Sequence, residues 1–149
     1  MLTRNGKAYL FPTRAVYDGN TTNPQLFLRN TTGGTYNVTP EYMNDFRVIG
    51  GSGDTPASVD DYHLDSEVTT LDVTNNSATQ KSGRSFEDNY IATFATTYQN
   101  NTGADVIIRE LGLQFRSGTS TNQYMLARQV IEPTVVRAGR SYTFTMTIG

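Results

Sequence analysis

Alternation of apolar and polar positions is clearest toward the C-terminus, where Tyr142, Phe144, Met146 and Ile148 interleave with Thr143, Thr145 and Thr147. A period of two in β-branched and aromatic residues predicts a strand that buries those four apolar side chains on one face. Pro133, Val135 and Val136 predict a short strand opening after the proline, and Ala138-Gly139-Arg140 a turn, so the two strands are expected to form a hairpin. From Ala104 to Phe115, Ile107, Leu111, Leu113 and Phe115 share one parity, while Val106 and Ile108 take the other. A bulge near Arg109-Glu110 would reconcile the two halves and send Leu111, Leu113 and Phe115 into the core. The apolar run Tyr124 to Ile131 follows a Ser/Gly/Thr loop that suits a hairpin with the preceding strand. Asn89 to Gln99 admits a helical face or a strand, and its Thr and Tyr content favours the strand.

The N-terminal half is less regular. Strand candidates fall at Ala8 to Phe11, Gln25 to Arg29, Phe46 to Ile49 and Val68 to Val73, separated by turns at Asp18-Gly19-Asn20, Asn23-Pro24, Gly33-Gly34 and Gly50 to Gly53. Helical prospects are confined to single turns around Pro40 to Asn44 and Val59 to Leu64. Short strands with Gly/Asn/Thr turns predict an all-β fold, a β-sandwich or a small barrel, and of these a single-domain β-sandwich of jelly-roll or Ig-like type with at most short helical turns is expected. Residues 1–20 are expected to be an N-terminal arm or edge strand, and residues 21–149 the sandwich domain.

Composition sharpens this picture by subtraction. Thr, Gly and Asn fill 48 of 149 positions, a turn-rich and strand-rich usage. The net charge of -2 gives no electrostatic reason to expect nucleic acid or an anionic membrane surface as a partner. With no Cys and one His, thiol catalysis, thiolate zinc sites and disulfide frameworks are excluded. No stretch approaches the roughly 20 apolar residues of a membrane span, and the first residues lack the apolar run of a secretory signal, so a soluble protein is expected. Five Asn-X-Ser/Thr matches, at Asn20, Asn30, Asn37, Asn75 and Asn100, read as turn chemistry in a chain so rich in Asn and Thr.

Each candidate for chemistry has a plainer alternative. Ile49-Gly50-Gly51-Ser52-Gly53-Asp54 completes neither dinucleotide nor P-loop spacing and reads as a flexible connector; Asp54 stands where a nucleophile elbow needs glycine. Asp54, Asp60, Asp61, Asp65, Glu67 and Asp72 lie in a stretch, 48–80, without Lys or Arg. Their spacing matches no EF-hand, so a solvated acidic loop is favoured over a calcium site. His63, close to three aspartates, has no positioned nucleophile beside it in the sequence. No enzyme activity and no cofactor are expected. Ten of the twelve basic residues are Arg, a bias suited to fixed contacts between proteins, and the acidic middle and the basic end, with Arg128, Arg137 and Arg140, could meet between subunits.

Three stretches taken together resemble small structural proteins of tailed bacteriophages: IGGSGDTPASVDDYHLDSEV (Ile49 to Val68), YQNNTGADVIIRELGLQF (Tyr98 to Phe115) and MLARQVIEPTVVRAGRSYTFTMTI (Met125 to Ile148). The resemblance implies a β-sandwich virion component, such as a capsid decoration, head-fibre or tail-attached protein, made in the host bacterial cytoplasm. It transfers no catalytic residue. Other virion proteins, either major capsid or tail proteins, and further copies of the chain as a homo-oligomer are the expected partners. A carbohydrate- or receptor-binding, adhesin-like module of the tail or fibre is the alternative. The candidate interaction residues are Arg4, Lys7, Tyr9, Leu10, Phe11 and Arg14, in an arm without a long strand or helix pattern.

Overall fold

In the computed structural model the described residues are 1–6, 26–38, 43–78, 92–117 and 122–148. They are all-β. Eight strands run β1 (Leu26–Arg29), β2 (Thr35–Val38), β3 (Met43–Gly51), β4 (Asp72–Ala78), β5 (Ala92–Gln99), β6 (Val106–Ser117), β7 (Gln123–Val136) and β8 (Ser141–Ile148). Three antiparallel sheets result: β1-β2, β3-β6-β7 and β4-β5-β8.

The two three-stranded sheets share one core. Val48 of β3, Ile108, Leu111, Leu113 and Phe115 of β6, Phe94 and Tyr98 of β5, and Phe144 and Met146 of β8 belong to one buried cluster. The sheets are also stitched by hydrogen bonds where β3 would otherwise be an open edge. The Thr96 hydroxyl accepts from Val48 N at 2.9 Å, the Tyr98 hydroxyl donates to Val48 O at 2.6 Å, and the Asn76 amide donates to Phe46 O. Three side chains of the facing sheet thus satisfy backbone groups that a further strand would have paired.

The bulge expected near Arg109-Glu110 is present, as a register shift between Ile108 and Glu110 against β7. It inverts the parity before it: Ile108 is fully buried, whereas Ile107 is 42% exposed. Beyond it both faces of β6 are covered, and every residue from Glu110 to Phe115 is buried. A second irregularity, in β3 between Asn44 and Arg47, holds Asp45 at φ 60°, a conformation that Asp tolerates, and Asp45 pairs with Arg116 at 2.9 Å.

Several expectations need correction. β7 and β8 do not form a hairpin: the turn at Arg137–Arg140 carries the chain between sheets, and β8 pairs with β5 in full register from Ala92↔Ile148 to Gln99↔Ser141. Pro133 to Val136 is the end of the long β7 rather than a separate strand. On β8, Phe144 and Met146 are buried and Ile148 is partly buried, but Tyr142, at the sheet end, is 42% exposed with its ring against Phe144. Only Asp72 and Val73 of the expected strand Val68 to Val73 are in β4, because Val68 N instead binds Gly50 O at 2.8 Å beside β3. Met43 and Asn44 are strand, and residues 59–64 contain no helix; a turn there brings Asp61 N to Ser58 O at 3.2 Å. The strand expected at Ala8 to Phe11 lies outside the described residues.

Candidate functional site

On the outer face of β3-β6-β7, Gly112 of β6 lies opposite Arg128 of β7, and Glu110 lies opposite Gly51 of β3. Residues 52–66 fold back over this face as a strap, with Leu64 packed among Ile49 and Met125 in a small second apolar cluster. Arg128, with its side chain 1% exposed, sits between sheet and strap. Its Nε donates to Glu110 Oε2 at 2.8 Å; Nη1 donates to Asp61 Oδ2 at 3.0 Å and Pro56 O at 3.4 Å; Nη2 donates to Thr55 O at 2.8 Å and Asp65 Oδ2 at 3.0 Å. All five N–H donors of a guanidinium are thereby engaged.

Glu110, fully buried, is equally saturated. Besides Arg128 it accepts from Gly53 N at 3.2 Å, Asp65 N at 3.2 Å and Ser66 N at 2.9 Å, which uses the four acceptor positions of a carboxylate. Close approach explains the glycine at 51: a Cβ there would stand 2.4 Å from Glu110 Oε1 and 2.7 Å from the Ser66 carbonyl. Gly50 and Gly51, expected as part of a flexible connector, are the ordered end of β3.

Electrostatics favours the ionised forms here. Burial works against a charged Arg128, but the hydrogen bonds it donates to Glu110 and Asp61 and the charges of Glu110 and Asp65 outweigh it and raise its pKa. The pKa of Asp65 is lowered from its ordinary value first by its hydrogen bond with Thr55, which outweighs the burial penalty, and to a lesser degree by the Arg128 charge. Beside this group, burial pushes the Glu67 carboxyl up against the opposing effect of Arg47.

The acidic stretch expected as a solvated loop therefore has two of its aspartates bound to an internal cation. The acidic middle and the basic end meet within one chain through Arg128, so the contact expected between subunits is, for this residue, intramolecular. Arg128 fills the space its oxygens surround, an arrangement that staples a loop to a sheet and leaves the guanidinium no donor for a substrate. His63 is exposed; its Nδ1 lies 2.5 Å from the Leu64 carbonyl and its ring meets Tyr62 edge-on. The Arg29 guanidinium lies 3.6 Å from the centre of the Tyr62 ring, a cation–π contact at the rim of the strap.

Of the six candidate interaction residues, Arg4 is exposed and pairs with Asp60 of the strap. Lys7, Tyr9, Leu10, Phe11 and Arg14 lie outside the described residues. Sequence reasoning did not single out Glu110 or the internal role of Arg128. The signal was there: a lone Arg inside the apolar run Tyr124 to Ile131, and a lone Glu just before Leu111. A charge flanked by core positions needs a buried partner.

No protein-family model, curated protein or solved structure matches the chain.

Proposed function

We propose that this chain is a non-enzymatic structural component of a tailed-phage virion, docking on the capsid or tail as a symmetric oligomer. One observation carries the reading. The three stretches that resemble such proteins meet at a single place: Ile49 to Val68 supplies Thr55, Pro56, Asp61 and Asp65, Tyr98 to Phe115 supplies Glu110, and Met125 to Ile148 supplies Arg128. In this chain the residues those stretches bring together form a staple, which suits a domain whose work is to hold shape. A rigid domain suits repetition on a particle, where weak contacts are multiplied by copy number. The strand positions also favour an Ig-like sandwich: β3-β6-β7 and β4-β5 follow the C-F-G and D-E arrangement, and β8 lies beside β5 where strand B stands beside E, although β8 follows β7 in the chain whereas B precedes C.

Quantitative mass spectrometry of particles purified from the producing bacterium tests this. The chain is expected at fixed stoichiometry, in hundreds of copies for a capsid decoration or about three to twelve for a tail or vertex component. Its absence from particles, with the protein left free in the lysate, would overturn the reading.

A further inference from the structure

We propose that Arg128 clasps the strap of residues 52–66 and the N-terminal residues 1–6 into one cooperative unit that opens as a whole, ahead of the rest of the fold. The side chain of Arg128 holds the strap through Asp61, Asp65 and the carbonyls of Thr55 and Pro56. Its backbone holds the N-terminal residues: Arg128 N donates to Met1 O at 3.0 Å, and Met1 N donates to Arg128 O at 2.8 Å. Leu2 bridges to Ala127, Thr3 N donates to Leu126 O at 3.0 Å, and the Thr3 hydroxyl lies 2.8 Å from Met125 O. The two covers also touch each other, through Arg4 N to Val59 O at 2.7 Å and the Arg4–Asp60 pair.

Each cover is linked to the other chiefly through Arg128, while Asn5 separately ties residues 1–6 to β1, donating to Arg29 O at 2.6 Å and accepting from Arg29 N at 2.9 Å. The Arg4–Asp60 pair is exposed and contributes little by itself, so the coupling runs through Arg128. If the strap lifts, a buried guanidinium loses four of its five acceptors and must turn toward water, which disturbs the backbone that pairs with Met1. If residues 1–6 lift, the β7 edge that positions the guanidinium is left open, and the strap loses its bond at Val59. Gly6 shows how closely the segment is seated: a Cβ there would fall 1.9 Å from Leu126 O. Neither cover contributes to β4-β5-β8, so that sheet can keep its pairing while the unit is open. Opening bares the backbone of Met125–Arg128 and the patch formed by Ile49 and Met125 under Leu64.

Native-state hydrogen exchange of the full chain in urea below the unfolding midpoint tests the proposal. The amides of Thr3, Arg4 and Arg128 are expected to share one opening rate and one urea dependence with those of Ser52, Gly53 and Ser66, at least about tenfold faster than those of Thr96 and Phe144. Asp61→Ala combined with Asp65→Ala, which leaves the Arg128–Glu110 pair intact, is expected to speed exchange at Thr3 and at Ser66 together. Two results would overturn the clasp: strap exchange rising while Thr3 keeps its protection, or both covers exchanging only at the rate of β5 and β8.

Discussion

Replacing Arg128 with Met keeps most of the side-chain volume and removes every donor of the staple. Glu110 then stays fully buried, still accepting from three strap amides but without its guanidinium partner. Breaking a buried pair on one side costs about 3–5 kcal/mol. The upper half of that range fits here, because Asp61 and Asp65 lose their cation as well. With a urea dependence of about 2 kcal/mol per molar, the unfolding midpoint should fall by about 2 M. A second variant separates this arrangement from an ordinary buried pair. Converting both partners of an isolated pair to apolar residues often restores stability. In Arg128→Met with Glu110→Leu, however, Gly53, Asp65 and Ser66 would lose their acceptor, at about 1–3 kcal/mol for each amide left buried. The double variant is therefore expected to be no more stable than the single one. A loss below about 1 kcal/mol for Arg128→Met, the scale of a surface change, or recovery in the double variant, would refute the assignment of Arg128 and Glu110 as the staple.

Phe144→Ala should cost about 3–5 kcal/mol in urea unfolding, and Tyr142→Ala much less, since Phe144 is buried and Tyr142 half-exposed; equal losses would contradict the observed parity. Burial pushes the Tyr98 hydroxyl from 10.0 up to about 12, so its folded pKa is raised. Stability from this group is complete below pH 10 and lost as pH climbs through 12, by about 3 kcal/mol, and Tyr98→Phe should abolish that alkaline dependence of the urea midpoint. Asp65 has the opposite sign: its folded pKa is depressed, so its contribution is present above 3.8 and lost as pH falls through the lower folded value, which Asp65→Asn should flatten in acid titrations followed by circular dichroism. Chelation by EDTA should leave the Tm within about two degrees, because a guanidinium occupies the space among the strap's oxygens; a larger drop would require a bound metal.

The strands legible in the sequence were those with one wet and one dry face, such as β8, or a long apolar run, such as β6. The bulge near Glu110 was readable because two parities collided there. β4 was not: all seven of its residues are exposed, and it reads as a polar loop until β5 pairs with it. Pairing itself was misread at β7 and β8, where a good turn suggested a hairpin; turn chemistry says that the chain reverses and not which sheet receives it. Arg128 was noticed for its charge, yet its carboxylate partners lie 18, 63 and 67 residues away, and no local pattern encodes such a meeting.

The partnership of β5 with β8 has a consequence for synthesis. As the chain leaves the ribosome, β4 and β5 emerge together, but the edge of β5 that β8 will occupy stays unpaired until β8 is made. Met1 waits for Arg128, 127 positions later. Pairings this distant in sequence are reached slowly, since loop closure has to precede the reward. Exposed strand edges in that interval favour association between nascent chains, so the yield of folded protein should depend on translation rate and on chaperone supply more than on the stability of the finished domain.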